Sequence, residues 1–376
     1  MKRSAMNKLL TCILVLIAAL CLCAAASASS GSCGDGMTWK LDKNGTLSIY
    51  GKGIVQKGNW DEADVKQVLF SSTVSGIGDN VFWGCFHMKY AYLVEGMTSI
   101  GYAAFYECDE LETVTLPDTL EQIGDFAFGE CPSLQELFIP DLLESIGEYA
   151  FDYNTVLYSA IGTSGAKALG KAGYAFRDQE LGCDLKYLYS GKKETGLALT
   201  HVENVGSSYV VPEEVTVIGD QVFYNHTNLR NITLPDHLTS IGDYAFLNCT
   251  NLQNVTLPKT LKTIGKSAFC DCFCFDSITI PERVTSIGAQ AFMSCSNLES
   301  VTIGKSVKTI GKTAFCNCMK LSKVTVLTKK LKSGSLGKNA FKGIAKKAVF
   351  KCPKGKAKTY KTLFRKAGAP KTCTFK

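Results

Sequence analysis

Residues 100–122 read IGYAAFYECDELETVTLPDTLEQ, and the same order of apolar residues starts again at Ile123. Nine times in the chain an isoleucine is followed by glycine and, five residues after the isoleucine, by phenylalanine. Most occurrences are 23 residues apart, and the isoleucines are Ile77, Ile100, Ile123, Ile146, Ile218, Ile241, Ile264, Ile287 and Ile310. Self-similarity at a fixed period of this size indicates a solenoid, in which each repeat forms one coil and stacks on the next.

Each repeat contains the spacing of a short β-strand. Leu111, Val114 and Leu116 follow the L-x-x-L-x-L pattern, in which alternate strand residues point inward. A proline follows this strand in several repeats and ends it, because proline cannot donate a hydrogen bond to the next strand. The IGxxAF segment is predicted to form a tight turn plus a short helical or 3₁₀ piece, with its phenylalanine in the core.

These units resemble the BspA-like, or Treponema-type, leucine-rich repeats of bacterial surface and secreted proteins, whose consensus reads roughly IGxxAFxxCxxLxxVxLPxxLxx. Nine units match, with partial units before and after, so the resemblance covers about two-thirds of the mature chain expected here. The resemblance implies a leucine-rich repeat solenoid and attachment to host proteins or other cells. It does not name the target.

Two segments interrupt or end the repeats. The spacing from Ile146 to Ile218 is three residues longer than three periods. Residues 164–177 (SGAKALGKAGYAFR) predict a short amphipathic helix in this gap, and residues 356–368 (KAKTYKTLFRKAG) predict another near the end of the chain. Both are expected to cover the open end of a stack, since exposed sheet edges promote aggregation.

The stacks are also predicted to begin with caps. Alternating apolar residues around Asn44-Gly45 predict a β-hairpin, and residues 185–202 predict a second one. The fold class is therefore a solenoid of 23-residue leucine-rich repeats in two blocks, with short parallel strands, short helical or 3₁₀ turns, hairpin N-caps and helical C-caps. The predicted segments are a signal peptide at 1–28, an N-terminal hairpin cap at 29–64, repeat block 1 at 65–164, a helical cap or linker at 165–182, a hairpin cap at 183–208, repeat block 2 at 209–353 and a basic C-terminal cap at 354–376.

The first residues predict export. Lys2, Arg3 and Lys8 are followed by an apolar run, and the small residues Ala26 and Ala28 predict cleavage after Ala28. The apolar run is shorter than the about 20 residues of a membrane span. No later stretch is long enough, so no transmembrane segment is predicted. The expected location is extracellular, either released or associated with the cell surface.

The charge is distributed unevenly. Residues 329–376, termed the basic segment below, contain 16 Lys or Arg and no Asp or Glu, whereas residues 29–328 contain 22 basic and 34 acidic residues. Two interpretations stay open: a charged cap on the end of the solenoid, or a contact with an anionic cell-wall polymer. A nucleic-acid partner is not predicted, because the chain has no aromatic-basic motif and is expected to be exported.

Cysteine recurs eight residues after the isoleucine in seven repeats, at Cys85, Cys108, Cys131, Cys249, Cys272, Cys295 and Cys318. Neighbouring coils put such residues ~4.7–4.9 Å apart with parallel Cα–Cβ bonds, beyond the ~3.5–4.5 Å between the Cβ atoms of a disulfide. Buried free thiols are therefore predicted. The remaining mature cysteines off this column and outside the 270–316 repeats, Cys33, Cys183, Cys352 and Cys373, are the better disulfide candidates.

No metal, cofactor or catalytic site is predicted. Cys270, Cys272 and Cys274 are separated by single residues, whereas paired zinc ligands usually have at least two residues between them. The four histidines stand in no arrangement with a nucleophile and an acid, and no phosphate loop, HExxH or GxSxG is present. The chain is predicted not to be an enzyme.

A binding patch is predicted where the repeat changes its outward strand residues. Six repeats carry threonine just before the proline position or its equivalent, whereas the first block carries Tyr90, Tyr92, Phe138 and Ile161 on the corresponding face. Exposed aromatic residues are enriched at binding hot spots. The predicted patch consists of Tyr90, Tyr92, Glu136 and Phe138.

The function predicted is that of a non-enzymatic adhesion or protein-interaction surface for an extracellular or host protein, or a glycan. The alternative is a cell-wall-associated structural protein held by its basic segment.

Overall fold

The computed structural model describes residues 27–203, 205–253 and 255–376, which form two compact units, one up to Gln179 and one from Glu180. The apolar run of the predicted signal peptide lies outside these residues. In unit 1 the strands are β1 (Ser27–Ser32), β2 (Thr38–Asp42), β3 (Thr46–Tyr50), β4 (Gly53–Val55), β5 (Gln67–Phe70), β6 (Val74–Ile77), β7 (Tyr90–Tyr92), β8 (Ser99–Ile100), β9 (Thr113–Thr115), β10 (Gln122–Ile123), β11 (Glu136–Phe138), β12 (Ser145–Ile146), β13 (Val156–Tyr158) and β14 (Phe176–Asp178). A 3₁₀ turn spans Glu62–Asp64, and helix α1 spans Ser164–Lys171.

Unit 1 is a coil of two parallel sheets that begins with antiparallel strands. Strands β1, β2 and β3 pair antiparallel, and β2 and β3 flank the predicted turn at Asn44-Gly45. Strand β3 then pairs in parallel with β5, and β5, β7 and β9 follow one another in the same sheet. The second sheet has the order β12-β10-β8-β6-β4. The predicted cleavage after Ala28 falls inside β1 and stays a prediction.

Unit 2 repeats this plan. Its strands are β15 (Cys183–Ser190), β16 (Lys193–Val202), β17 (Ser208–Val210), β18 (Val217–Ile218), β19 (Asn231–Thr233), β20 (Ser240–Ile241), β21 (Thr263–Ile264), β22 (Ser277–Thr279), β23 (Ser286–Ile287), β24 (Ser300–Ile303), β25 (Thr309–Ile310), β26 (Lys323–Val326), β27 (Val349–Lys351) and β28 (Thr374–Phe375). Helix α2 spans Ala357–Lys366. The antiparallel pair β15–β16 leads into the parallel series β16-β18-β20-β21-β23-β25, and β22-β24-β26-β27-β28 forms a further parallel sheet.

The strand register makes one coil of each repeat. Ile100 pairs with Ile123, and Val114 pairs with Ala91, so partners in neighbouring coils are 23 residues apart in sequence. Each coil gives one short strand to each sheet. The predicted solenoid fold is confirmed.

The repeated phenylalanines form one stacked column in each unit. Ring centroids in unit 1 are 5.0–5.9 Å apart from Phe82 to Phe151. In unit 2 they are 4.9–5.4 Å apart from Phe223 to Phe341. Phe341 belongs to a tenth coil that the search for isoleucine missed, because Leu336 occupies the isoleucine position.

The IGxxAF segments are turns, and none of the described ones contains the short helical or 3₁₀ piece that was expected. Two residues per coil have a left-handed backbone, three and seven residues after the isoleucine, for example Ala103 (φ 48°) and Glu107 (φ 57°). A left-handed residue cannot continue a right-handed helical turn, so the chain reverses instead. The phenylalanine still points into the core.

The glycine after each repeat isoleucine is needed for close stacking. Gly265 has no left-handed backbone, but a Cβ atom there would lie 2.4 Å from the carbonyl oxygen of Gly242. Gly124 and Gly288 approach the preceding coil in the same way. Contacts under 3.0 Å are not tolerated by real Cβ atoms, so any side chain here would push two coils apart.

Both helices end earlier than predicted, at the shared Lys-Ala-Gly sequence. Gly173 has φ +90°, and the amide of Tyr174 donates to the carbonyl of Leu169 at 2.9 Å. Gly368 has φ +96°, and the amide of Ala369 donates to Phe364 at 3.0 Å. A left-handed glycine with such a bond is a common helix C-cap, so α1 ends at Lys171 and the chain continues into β14.

The cysteine column is buried and reduced, as predicted. All fourteen cysteines within the described residues are free, and the seven column members are at most 1 % exposed. The four disulfide candidates off the column are free as well. Val349 pairs with Thr374, which puts Cys373 opposite Ala348, four residues from Cys352 and therefore ~13 Å away along the strands. A disulfide between these two is excluded by the register.

Candidate interaction surface

The predicted patch lies on the outward side of one strand series in unit 1, termed the strand face. In β7, β9, β11 and β13 the middle residue is buried and the two flanking side chains point outward, as alternation along a strand requires. In β5 the corresponding outward residues flank buried Val68. The outward residues of these five strands are Gln67, Leu69, Tyr90, Tyr92, Thr113, Thr115, Glu136, Phe138, Val156 and Tyr158.

Tyr90 and Tyr92 lie side by side on β7. Their ring centroids are 6.2 Å apart and the rings are nearly parallel, at 11°. Both residues are half-buried. Burial raises the pKa of Tyr92 above its ordinary value, and the neighbouring Tyr90 adds to the rise, so the phenol stays neutral and able to donate a hydrogen bond.

Phe138 forms a second aromatic pair, with a residue that the sequence analysis did not select. Its ring stacks on Tyr158 with centroids 4.8 Å apart and an angle of 12°. Phe138 remains 40 % exposed. Glu136, on the same strand, is exposed and pairs in register with Val156.

Tyr158 was missed because the last coil of block 1 is shorter than the others. Leu137 pairs with Leu157, only 20 residues later. A spacing of 23 residues would put Ile161 at the position that Tyr158 occupies, whereas Ile161 lies in the turn after the strand. The alternation in Val156-Leu157-Tyr158 is the signal that could have located this strand.

The four predicted residues share one face but form two groups. Thr113 and Thr115 lie between them, since they pair in register with Tyr90 and Tyr92, and β11 contacts β9 on its other side. Two coil steps, ~9.6 Å, therefore separate the tyrosine pair from the Phe138 coil. The face consists of two aromatic pairs on either side of a threonine pair.

Charged residues border this face. The amine of Lys89 lies 3.6 Å from Glu112 and 3.7 Å from Glu110, and His87 Nδ1 lies 3.0 Å from Glu110. His87 and, after it, Lys89 hold the pKa of Glu110 below its usual value. An open, shallow hollow near the Phe138 coil is lined by Glu112, Ser133, Gln135, Glu136, Val156 and Tyr158.

The equivalent face of unit 2 is polar. Its outward strand positions include Thr233, Thr279, Thr302 and Thr325. Threonine is a favourable strand residue and needs no binding role to explain it. The aromatic pairs are thus a feature of unit 1.

Within the described ranges no group of three or more His, Cys, Asp or Glu side chains could hold a metal ion. No helix in the same ranges is long and apolar enough to cross a membrane. In unit 2, an open hollow is lined by Lys308, Thr309, Lys330, Lys332, Ser333, Gly334 and Ser335, and it joins the start of the basic segment.

The coils, the stacked phenylalanines and the exposed strand series define the class of protein: a leucine-rich repeat solenoid, a fold that binds through its extended surfaces. The family model for the BspA type leucine rich repeat region matches residues 55–181 and 216–347, in six copies. The chain belongs to the BspA-type leucine-rich repeat family.

Several solved structures are similar to this chain. A leucine rich cell surface protein from Faecalibacterium prausnitzii A2-165 is 23 % identical, with 80 % of this chain and 95 % of that chain covered and a TM-score of 0.36. A leucine-rich repeat protein from Bacteroides ovatus ATCC 8483 is 20 % identical, with 94 % and 98 % covered and a TM-score of 0.41. The pneumococcal vaccine antigen PcpA is 16 % identical, with 94 % and 100 % covered and a TM-score of 0.41. No curated protein matches the chain in sequence.

Proposed function

We propose that this chain is a non-enzymatic interaction protein of the bacterial exterior, and that it binds a protein through the strand face of unit 1. Membership of a repeat family with extended surfaces supports the class of function. The amino-terminal pattern of charge, apolar run and small residues supports export. The partner is an extracellular or host protein, or a glycan that such a protein carries.

The observation that carries this proposal is the exposed Phe138–Tyr158 stack. Tyrosine and phenylalanine present large contact areas with few rotatable bonds, so little entropy is lost when a partner covers them. The stack holds both rings in one orientation before binding. Tyr90 and Tyr92 offer a second such pair on the same face.

The proposal is tested in two stages. Immobilised chain is first exposed to purified extracellular proteins and glycans, and affinity is measured for each binder. The double variant Tyr92→Ala/Phe138→Ala is then compared with Thr279→Ala/Thr302→Ala, which changes the corresponding strand positions of unit 2. We expect the aromatic variant to weaken binding by about 2 kcal/mol or more and the threonine variant to change it little. Full affinity in the aromatic variant would reject the strand face as the site.

A second candidate function is retention on an anionic cell-wall polymer through the basic segment. The absence of acidic residues between Lys329 and Lys376 favours it. Deleting residues 329–376 would also remove α2, whose Tyr360 and Phe364 are buried, so the truncated chain could lose its fold. Exchange of the exposed Lys354, Lys358, Lys361 and Lys371 for glutamine is the sharper test.

We expect the lysine-to-glutamine variant to leave isolated cell walls at lower salt than the wild-type chain, because fewer counterions are released on binding and screening acts on fewer contacts. Identical salt profiles for the two chains would reject this candidate function without affecting the strand-face proposal.

A further inference from the structure

A second aromatic surface of unit 1 lies on its turns, away from the outward strand residues. Five side chains from the IGxxAF turns and the residues just after them form an unbroken contact series, termed the turn face: Trp83, Tyr102, Tyr106, Phe126 and Tyr149. Ring centroids are 5.4 Å apart for Trp83–Tyr106, 6.2 Å for Tyr106–Phe126, 5.9 Å for Tyr102–Phe126 and 5.4 Å for Phe126–Tyr149. Trp83, Tyr102 and Tyr149 are 42 %, 44 % and 68 % exposed.

Carboxylates surround these rings, and no cation accompanies them in the same segments. Residues 77–86, 100–109, 123–132 and 146–155 contain no Lys or Arg and seven acidic residues: Asp79, Glu107, Asp109, Asp125, Glu130, Glu148 and Asp152. The indole of Trp83 donates to Glu107 at 3.1 Å. Burial raises the pKa of Tyr106, and Glu130 and Glu107 add to the rise, which places these carboxylates close to the rings.

The aspartates and the glutamates have different roles. Asp79 and Asp125 each accept a hydrogen bond from a backbone amide of the next coil, at 2.7 Å. Asp152 accepts two such bonds, at 2.8 and 3.0 Å. These three stabilise the stacking of coils. Glu130 and Glu148 are exposed, so their carboxylates are in a position to meet a ligand.

Unit 2 contains a cation at the matching place. The Lys266 amine lies 5.0 Å from the centre of the Tyr244 ring. Tyr244 stands three residues after Ile241, and Lys266 stands two residues after the next repeat isoleucine. The matching residues in unit 1 are Phe126 and Glu148. Unit 1 thus has the ring and a carboxylate where unit 2 has the ring and its own lysine.

We propose that the turn face of unit 1 binds a segment of a partner protein that carries arginine or lysine side chains. A cation over an aromatic face is attracted by the ring quadrupole, and the bordering glutamates add ion pairs. Arginine fits better than lysine, since its planar guanidinium also stacks on rings. The four coils span roughly 14 Å, a length that an extended segment of four or five residues covers.

The test uses the full chain and a fluorescent peptide in which arginine alternates with glycine. A peptide with citrulline in place of arginine keeps the shape and removes the charge. Two variants address the two parts of the surface: Trp83→Leu/Tyr102→Leu/Tyr106→Leu removes rings, and Glu107→Gln/Glu130→Gln/Glu148→Gln removes charge. The matched control Glu112→Gln/Glu121→Gln/Glu144→Gln removes the same charge from other exposed positions of unit 1. Circular dichroism verifies that each variant is folded.

We expect the arginine peptide to bind and the citrulline peptide not to bind. Both turn-face variants should raise the dissociation constant by about tenfold or more, and the control variant by less than about twofold. The proposal is overturned if the wild-type chain does not bind the peptide at low salt, or if the ring variant binds like wild type, which would leave only long-range charge attraction. An equal loss in the control variant would overturn it as well.

Two further outcomes assign the peptide elsewhere and overturn the proposal. If Tyr92→Ala/Phe138→Ala abolishes peptide binding while the turn-face variants do not, the strand face binds the cation. If the chain instead self-associates reversibly at low salt and excludes the peptide, the occupant is the basic segment of a second copy. The strand-face proposal is judged by its own partner and variants, so either proposal can fail alone.

Discussion

The thiol of Cys131 donates a hydrogen bond to the carbonyl oxygen of Phe105, 3.1 Å away in the preceding coil. The same bond, over the same 26-residue separation, joins Cys108 to Phe82 in unit 1 and Cys249 to Phe223 in unit 2. Cys272, Cys295 and Cys318 make it at 3.1–3.2 Å. Cysteine is thus a small buried residue that also satisfies a carbonyl of the phenylalanine column.

Alkaline pH is expected to destabilise the chain through these thiols. Burial raises the pKa of Cys249 and Cys318 to about 12. In the unfolded chain a thiol loses its proton near pH 8.5. The unfolded state therefore binds fewer protons at high pH, and stability that is fully present below about pH 8.5 is lost as pH rises toward about 12, at about 1.4 kcal/mol for a difference of one pKa unit.

Urea unfolding at a series of pH values measures this effect. The variant Cys249→Ala/Cys318→Ala is the control, since it is less stable throughout but should lose less stability above about pH 9. Equal pH slopes for the two chains would show that the thiols do not govern alkaline unfolding. In the folded chain the column should also resist thiol reagents, because the thiolate is the reactive form.

A methyl group at Gly265 is expected to force two coils apart. The added Cβ would lie 2.4–2.6 Å from backbone atoms of Gly242 and Asp243. Since these atoms cannot rotate away, we expect Gly265→Ala to destabilise unit 2 by about 1–3 kcal/mol or more.

Gly206→Ala is the matched control. No atom lies within 4 Å of a Cβ built at Gly206, and its backbone is not left-handed. It should be neutral or slightly stabilising, by up to about 1 kcal/mol, because alanine restricts the unfolded chain. Comparable stability of the two variants in thermal unfolding would contradict the close approach of the coils.

The 23-residue period predicted the coil because every core column is fixed by it. Where the period changes, prediction from the sequence fails: Tyr158 was lost when block 1 shortened its last coil to a 20-residue offset. Phe341 was lost because Leu336 replaces the isoleucine. The register of a strand depends on the length of the preceding turn, which a search for one fixed spacing does not follow.

The turn face was missed for a different reason. Trp83, Tyr102 and Phe126 stand six, two and three residues after their isoleucines, so no single repeat position reveals them. They meet because each turn places these positions beside those of the next coil. The sequence analysis compared strand residues only, and ring contacts between turns depend on left-handed residues such as Phe126 (φ 57°) that the pattern does not predict.

The Phe138–Tyr158 stack is expected to be energetically coupled. A double-mutant cycle with Phe138→Ala and Tyr158→Ala should give an interaction energy of about 0.5–1.5 kcal/mol in the free energy of unfolding. The control cycle pairs Phe138→Ala with Thr233→Ala in unit 2, which should be additive. Additivity in both cycles would mean that the rings do not stack in solution, and the strand-face proposal would lose its fixed anchor.

Helix α2 is expected to depend on one buried hydroxyl. Tyr360 is fully buried and donates a hydrogen bond to the carbonyl of Thr328 at 2.9 Å. Tyr360→Phe keeps the ring and leaves that carbonyl without this donor, so we expect a loss of about 1–3 kcal/mol. Tyr224→Phe, at a residue 50 % exposed, should change stability by less than about 0.5 kcal/mol.

Hydrogen exchange locates the effect of Tyr360→Phe as well as measuring it. Local opening in a repeat array spreads first to the neighbouring coils, so amides of α2 and β27 should exchange faster while those of unit 1 are unchanged. The same pattern at Tyr224→Phe, or no change at Tyr360→Phe, would contradict the bond to Thr328. A confined effect would establish that α2 closes the last coils of unit 2 through this contact, and that the lysines of the basic segment can be exchanged without opening the stack.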